Sequence, residues 1–215
     1  GVYSVYNGTN GDGLEIIGGH FEGPTTRCLH ILAKRLIMTG GRQVPTITGT
    51  GGSYVNGTGS GFVNVEFAHQ NGGTSYGIEV DTGGGTYCIV GCDIGGFSTG
   101  IILREGSGVV TGCDISANTT GVELVAGSYS GVIAGNHIGG VTNSILHTSG
   151  NGRWHIGPNR LCDASAPQTF KAMTVTAGFP YVTGLYEGTT PTVASAATIS
   201  LPYDSDVCYI SGTTN

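Results

Sequence analysis

Charge is scarce in this chain. Lys, Arg, Asp and Glu make up 10% of its 215 residues, against roughly 25% in an average soluble domain. Eight basic residues are scattered among fourteen acidic ones, for a net charge of −6. No basic patch is therefore available to draw in nucleic acid. Long apolar runs are missing too: none approaches the ~20 residues of a membrane-spanning helix, and no signal peptide is present, so membrane insertion is not expected. The six cysteines form no CxxC pair and no Cys/His spacing typical of zinc, so no metal site is expected. P-loop, dinucleotide GxGxxG and HExxH patterns are absent, and no cofactor is implied. Gly96-Phe97-Ser98-Thr99-Gly100 matches GxSxG in form, but that motif needs a strand–elbow–helix context that a strand-rich chain does not offer. The chain starts at Gly1 without Met, which reads as a fragment or a processed product.

What the chain has in excess is glycine, 41 of 215 residues, far above the usual ~7%. Disorder would require low hydrophobicity with high net charge. Here the glycines alternate with Ile, Val, Leu and Phe at regular spacing, and mean hydropathy is slightly positive, at +0.10. They read as tight corners between short strands.

The regularity is an internal repeat. A first strand recurs as Gly77-Ile78-Glu79-Val80, Gly100-Ile101-Ile102-Leu103, Gly121-Val122-Glu123-Leu124 and Ser144-Ile145-Leu146-His147, in steps of 23, 21 and 23 residues. A second follows each: Cys92-Asp93-Ile94, Cys113-Asp114-Ile115, Asn136-His137-Ile138 and Asn159-Arg160-Leu161. An aliphatic residue lies three before each second strand, at Ile89, Val110, Ile133 and Ile156. The inward residues alternate, as 92 with 94 and 113 with 115, which is the period of a strand and not of a helix. Short strands recurring at this spacing predict an all-β fold, a right-handed parallel β-helix of about six to seven rungs. In such a fold each rung buries its apolar face only against its neighbours.

The chain divides into an initial segment (1–12), the β-helix (13–167) and a C-terminal β region (168–215). Within the β-helix, Ile16, Gly19 and Phe21 align with Ile89, Cys92 and Ile94, and Cys28-Leu29-His30-Ile31 resembles a first strand. Leu36-Ile37-Met38 lies near the next second strand, in an unsettled register. Residues 39–61 read as a protruding loop. The repeat stops after Leu161. Trp154, in the last clear rung, caps the core or meets a neighbouring subunit. Beyond it, strands at 198–201 and 207–210 flank Pro202-Tyr203-Asp204-Ser205-Asp206. A lone hairpin is marginal without partners, and copies of itself are the simplest ones.

Two ladders follow from the repeat. The inward one, Cys92, Cys113, Asn136 and Asn159, lets Asn stack on Asn and satisfies buried amides. Its cysteines are either buried free thiols or a cross-rung disulfide. The outward one runs His20, Glu66, Asp93, Asp114, His137 and Arg160. With rungs ~4.8 Å apart, Asp93 and Asp114 are close enough to form an acid/base or acid/nucleophile pair with Glu66 beside them. His137 and Arg160 would neutralise or orient them. The competing reading is a solvated polar face or a subunit contact. Glu79 and Glu123, two rungs apart, read as surface glutamates. Tyr54, Phe97 and Tyr129, placed at rung corners, serve either as platforms for sugar rings or as contacts between subunits.

The repeat Gly-Ile-x-Val … Ile-x-Gly-Cys-x-Ile resembles the pectate-lyase-like β-helices of bacteriophage tailspikes. The tail Pro-Thr-Val-Ala-Ser-Ala-Ala-Thr-Ile-Ser-Leu-Pro (191–202) with Asp-Val-Cys-Tyr-Ile-Ser-Gly-Thr-Thr (206–214) is similar to the C-terminal segment of many such spikes. The resemblance covers 13–161 and 189–214. It implies a parallel homotrimer on a virion, acting outside the cell, with other virion proteins as neighbours. The implied role is adsorption to bacterial surface polysaccharide, in many members with glycosidase or lyase activity. A purely structural fibre segment of the same architecture is the third reading.

Overall fold

The computed structural model describes residues 3–7, 13–32, 35–45, 51–69, 75–125, 128–140, 142–148, 153–162, 173–175, 181–182, 192–194 and 209–211. Among them the chain winds as a parallel β-solenoid, and all pairings between successive rungs are parallel. Each rung carries three strands, one on each of three faces, where the sequence repeat showed two. The first face stacks Tyr3–Asn7, Arg27–Ile31, Gly51–Val55, the leading halves of Tyr76–Val90 and Thr99–Thr111, then Thr120–Leu124 and Asn143–His147. The second stacks Leu14–Ile17, Leu36–Thr39, Ser60–Val63, the trailing halves of those two long strands, then Ser128–Ala134 and Arg153–Ile156. The third is a separate seven-stranded sheet running from His20–Glu22 to Arg160–Cys162. Ile89, Val110, Ile133 and Ile156 therefore belong to a middle strand of their own.

The core is built from in-register columns, as the strand period requires. On the second face Ile16 stacks on Met38, and Met38 on Phe62, which lies in register with Ile89. On the third face Phe67, Ile94, Ile115 and Ile138 stack in line, and all are 0–1% exposed. Burial of each such side chain stabilises the fold by about 1.5–3 kcal/mol.

The glycines have two uses. Gly18, Gly40, Gly91, Gly112 and Gly135 all take positive φ, 62–70°, at the corner between the second and third faces. This is the left-handed turn expected of a corner. Asn64 fills the same place at φ 53°. The glycine opening each first strand is different. A Cβ on Gly77, Gly100 or Gly121 would lie 2.5, 2.5 or 2.3 Å from Cγ2 of Ile94, Ile115 or Ile138. These residues are small because the first and third faces meet there.

Several expectations are corrected. Residues 39–61 do not protrude as one loop: Arg42–Val44 and Gly51–Val55 are regular members of the third and first faces. Their small residues hide the strand pattern because Gly51, Gly52 and Ser53 are packed inside, with Gly52 against Phe67. Leu36–Thr39 is a second-face strand, which settles its register. Trp154 is 0% exposed and lies across Gly131, whose Cβ would come within 2.6 Å of the ring. It is a core residue and not a subunit contact. Beyond Leu161, Met173–Val175 pairs onto Asn143–His147 and Tyr181–Val182 onto Arg153–Ile156, so pairing continues past the expected stop. Tyr209–Ser211 pairs in parallel with Thr192–Ala194 and not in a hairpin; residues 198–201 lie outside the described residues.

The inward ladder is present. Asn136 Nδ2 donates to Asn159 Oδ1 at 3.0 Å and to Val110 O at 2.9 Å, while its Oδ1 accepts the Cys113 N–H at 2.9 Å. Cys92 and Cys113 are buried free thiols. The hydrogen bond to the Cys113 sulfur, followed by burial, pushes the Cys92 thiol strongly upward, so it stays protonated.

Candidate functional site

The outer side of the third face carries the expected column, with one addition. His20, Arg42, Glu66, Asp93, Asp114, His137 and Arg160 stand in register on consecutive strands. Arg42 was missed because it falls in the stretch read as a loop. It binds Glu66, Nε to Oε1 2.9 Å, and His137 Nδ1 lies 3.0 Å from Asp114 Oδ1. Asp93 stands between these two pairs and makes no side-chain ion pair or hydrogen bond among the described residues. Partial desolvation first, then the charges of Asp114 and Glu66, raises its pKa above the usual carboxylate value. Burial and nearby like charge both disfavour the ionised form of a carboxyl group.

The aromatic candidates separate. Phe97 is 0% exposed and packs inside the third-to-first corner, its ring 5.3 Å from that of His69. It cannot serve as an outer sugar platform, because its side chain fills the space that Gly77 leaves. Tyr129 lies in the strand Ser128–Ala134, not in a loop, and its side chain is outside the described residues. Tyr54 is also in a strand and points outward from the first face, in register with His30 and Glu79.

Around Tyr54 the first face builds a polar cluster. Glu79 was read as a surface glutamate, yet it is 5% exposed. Arg27 Nη2 reaches its Oε2 at 2.6 Å, and Arg104 Nε donates to Oε1 at 2.6 Å. Two guanidinium groups closing on one carboxylate make its burial tolerable. The Arg27 guanidinium also lies 4.7 Å from the Tyr54 ring centroid, a cation–π contact. The His30 ring stacks on Tyr54 at 5.1 Å and 18°. Tyr54 OH donates to Asp81 Oδ2 at 3.1 Å and accepts from Asn56 Nδ2 at 3.4 Å. Further along the face, burial raises the pKa of Glu123, and Arg104 partly offsets it.

Arg27, Tyr54, Glu79 and Arg104 come from four consecutive rungs, a span of roughly 14 Å at ~4.8 Å per rung. The signal was partly legible. Glu79 and Glu123 share a repeat position, but Arg27 and Arg104 lie outside the aligned columns and reach in on long side chains. Among the described residues no group of three or more His, Cys, Asp or Glu is placed to hold a metal ion. No family model, no curated protein and no solved structure matches the chain.

Proposed function

We propose that this β-solenoid is the receptor-binding body of a phage-type spike or fibre, which adheres as a homotrimer to polysaccharide on a bacterial surface. The observation that carries this reading is the outward cluster of Arg27, Tyr54, Glu79, Asp81 and Arg104 on the first face. Side chains fixed to one another on a rigid sheet lose little freedom on binding, which favours recognition. The rung spacing is comparable to the length of one sugar residue, so a glycan lying along the solenoid axis meets equivalent positions at successive steps. Tyr54 supplies an apolar ring edge and hydroxyl, which Arg27 holds in place from beneath the surface; Arg104 and Asn56 supply donors, and Asp81 an acceptor. The overall negative charge favours a neutral glycan over a strongly acidic one.

Glycan-array retention followed by calorimetry on the retained polysaccharide tests this. Wild-type protein is expected to bind, and Tyr54→Ala to bind at least tenfold more weakly. Retention of no bacterial glycan would leave only a structural fibre segment.

A second reading, cleavage of the glycan, is favoured by the Asp93 environment. Carboxylates one rung apart, ~4.8 Å, are near the ~5–5.5 Å separation of retaining glycosidases. Asp93, with its raised pKa, suits the proton donor, Asp114 held by His137 suits the nucleophile, and Glu66 and Arg160 flank them. Reducing-end release that disappears in both Asp93→Asn and Asp114→Asn supports cleavage; release unchanged in both removes these residues from it.

A further inference from the structure

Arg104 lies between two carboxylates of the first face and is bonded to one of them, its Nε donating to Glu79 Oε1 at 2.6 Å. The other, Glu123, belongs to the next rung, in register with Ile102 on one side and Leu146 on the other. Glu123 is half-buried, and it makes no ion pair or side-chain hydrogen bond among the described residues. The Arg104 side chain is 37% exposed, and among the same residues only its Nε is bonded to another side chain. Burial raises the pKa of Glu123 and the charge of Arg104 lowers it. The two groups therefore sense each other across a gap that no ion pair closes. Ile102 is 2% exposed and Leu146 is half-buried. An apolar stretch with one donor and one acceptor is the usual make-up of a ligand site.

We infer that Arg104 and Glu123 together bind adjacent hydroxyl groups of one uncharged sugar ring, and so select neutral hexose units with free vicinal hydroxyls. The chemistry of the two groups fixes the class. A guanidinium only donates and an ionised carboxylate only accepts, whereas a hydroxyl does both. One hydroxyl of the ring accepts from an Arg104 Nη group, and its neighbour donates to Glu123. A sugar carboxylate or sulfate placed here would face Glu123, and an ammonium would face Arg104; each is a like-charge juxtaposition. An acetylated hydroxyl has no proton to offer Glu123. A half-buried carboxylate without a partner is unfavourable, and a ligand hydroxyl offsets that only in the complex. Glu123 stands three rungs from Tyr54 in the same column, roughly 14 Å at ~4.8 Å per rung. A glycan lying along the solenoid axis therefore meets Tyr54 and this pair about three sugar residues apart.

This inference rests on the glycan-binding part of the proposed function, and measurements on the full chain separate the two. Glycans retained from a bacterial glycan array are expected to carry uncharged hexose units with unsubstituted vicinal hydroxyls. Retention confined to uronic-acid, sulfated or fully acetylated glycans would overturn the role of the pair and leave glycan binding standing. Calorimetry then uses the polysaccharide retained most strongly. Glu123→Gln is expected to bind it at least tenfold more weakly, with an unchanged β-sheet circular dichroism spectrum. Val109→Ala is the control, on the second face where Val109 is 37% exposed, and is expected to bind like wild type. Glu123→Gln equal to wild type, with Tyr54→Ala weakened, would overturn the inference and not the first-face reading. A last arm needs no variant and stands even if Glu123→Gln fails to fold. Wild type is titrated with oligosaccharides of increasing length cut from the same polysaccharide. Its affinity is expected to rise at least tenfold between about two and four residues, as the chain becomes long enough to reach both Tyr54 and Glu123. No gain beyond about two residues would overturn the inference. Retention of no glycan would overturn both readings.

Discussion

Arg104 Nε donates to Glu79 Oε1 at 2.6 Å across one rung of the solenoid, while Arg27 closes on the other oxygen from two rungs away on the opposite side. A glutamate that looks like an ordinary outer residue in sequence is thus the buried node of a network joining four rungs. Glu79→Ala leaves two guanidinium groups facing each other without their counter-charge. We expect a loss on the order of 3 kcal/mol, read by denaturant titration, with Glu79→Gln losing less because the amide oxygen still accepts one bond. Equal stability of Glu79→Ala and wild type would remove this network from the account.

The opening glycine of each repeat is a packing requirement. Gly100→Ala places a Cβ 2.5 Å from Ile115 Cγ2 and 2.6 Å from the Gly121 carbonyl oxygen, and overpacking of that kind costs about 1–3 kcal/mol. Gly95, where a Cβ meets nothing within 4 Å, is the control: Gly95→Ala is expected to change stability by less than about 0.5 kcal/mol. Thermal melts of the two variants side by side decide it.

The asparagine ladder can be extended or broken. Cys113 Sγ already donates to Ile89 O at 3.7 Å and Thr111 O at 3.4 Å, the counterparts of the Asn136 bonds to Val110 and Ala134. Cys113→Asn replaces a weak donor with an amide and adds an acceptor for the preceding rung, so the melting temperature is expected to hold or rise. Asn136→Ala strands the Cys113 N–H and is expected to cost about 1–3 kcal/mol.

Protonation of the outer column sets a pH dependence. The folded pKa of Asp93 is raised, by desolvation and then by Asp114 and Glu66. An acid raised on folding favours the folded state below its unfolded pKa, about 3.9. That contribution is lost as pH rises through the folded value. Asp93→Asn removes the ionised form, so it is expected to melt above wild type at neutral pH, with the gap closing as the pH falls into the acid range. A gap that is constant across pH would contradict this origin.

The repeat was legible because Ile, Val and Phe recur in register: the columns through Ile89 and Ile94 need no other signal. Two kinds of residue escaped that reading. Gly51, Gly52 and Ser53 form a buried strand with almost no apolar side chain, so the stretch 39–61 looked like a loop, which put Tyr54 at a corner instead of in a strand and hid Arg42 altogether. Phe97 is the converse, an aromatic at a corner that turns inward because Gly77 leaves room. Of the site, the Asp93–Asp114–His137 line followed from spacing alone. The Arg27–Glu79–Arg104 network did not, since arginines span rungs and register cannot show where a long side chain ends.

The central claim is that the first face around Tyr54 is the glycan surface. Hydroxyl-radical footprinting, with and without a bound bacterial surface oligosaccharide, tests it most directly. The account predicts that the glycan lowers the reactivity of Tyr54 and leaves that of Val109 unchanged. Protection confined to His137 on the third face, with Tyr54 unaffected, would contradict it.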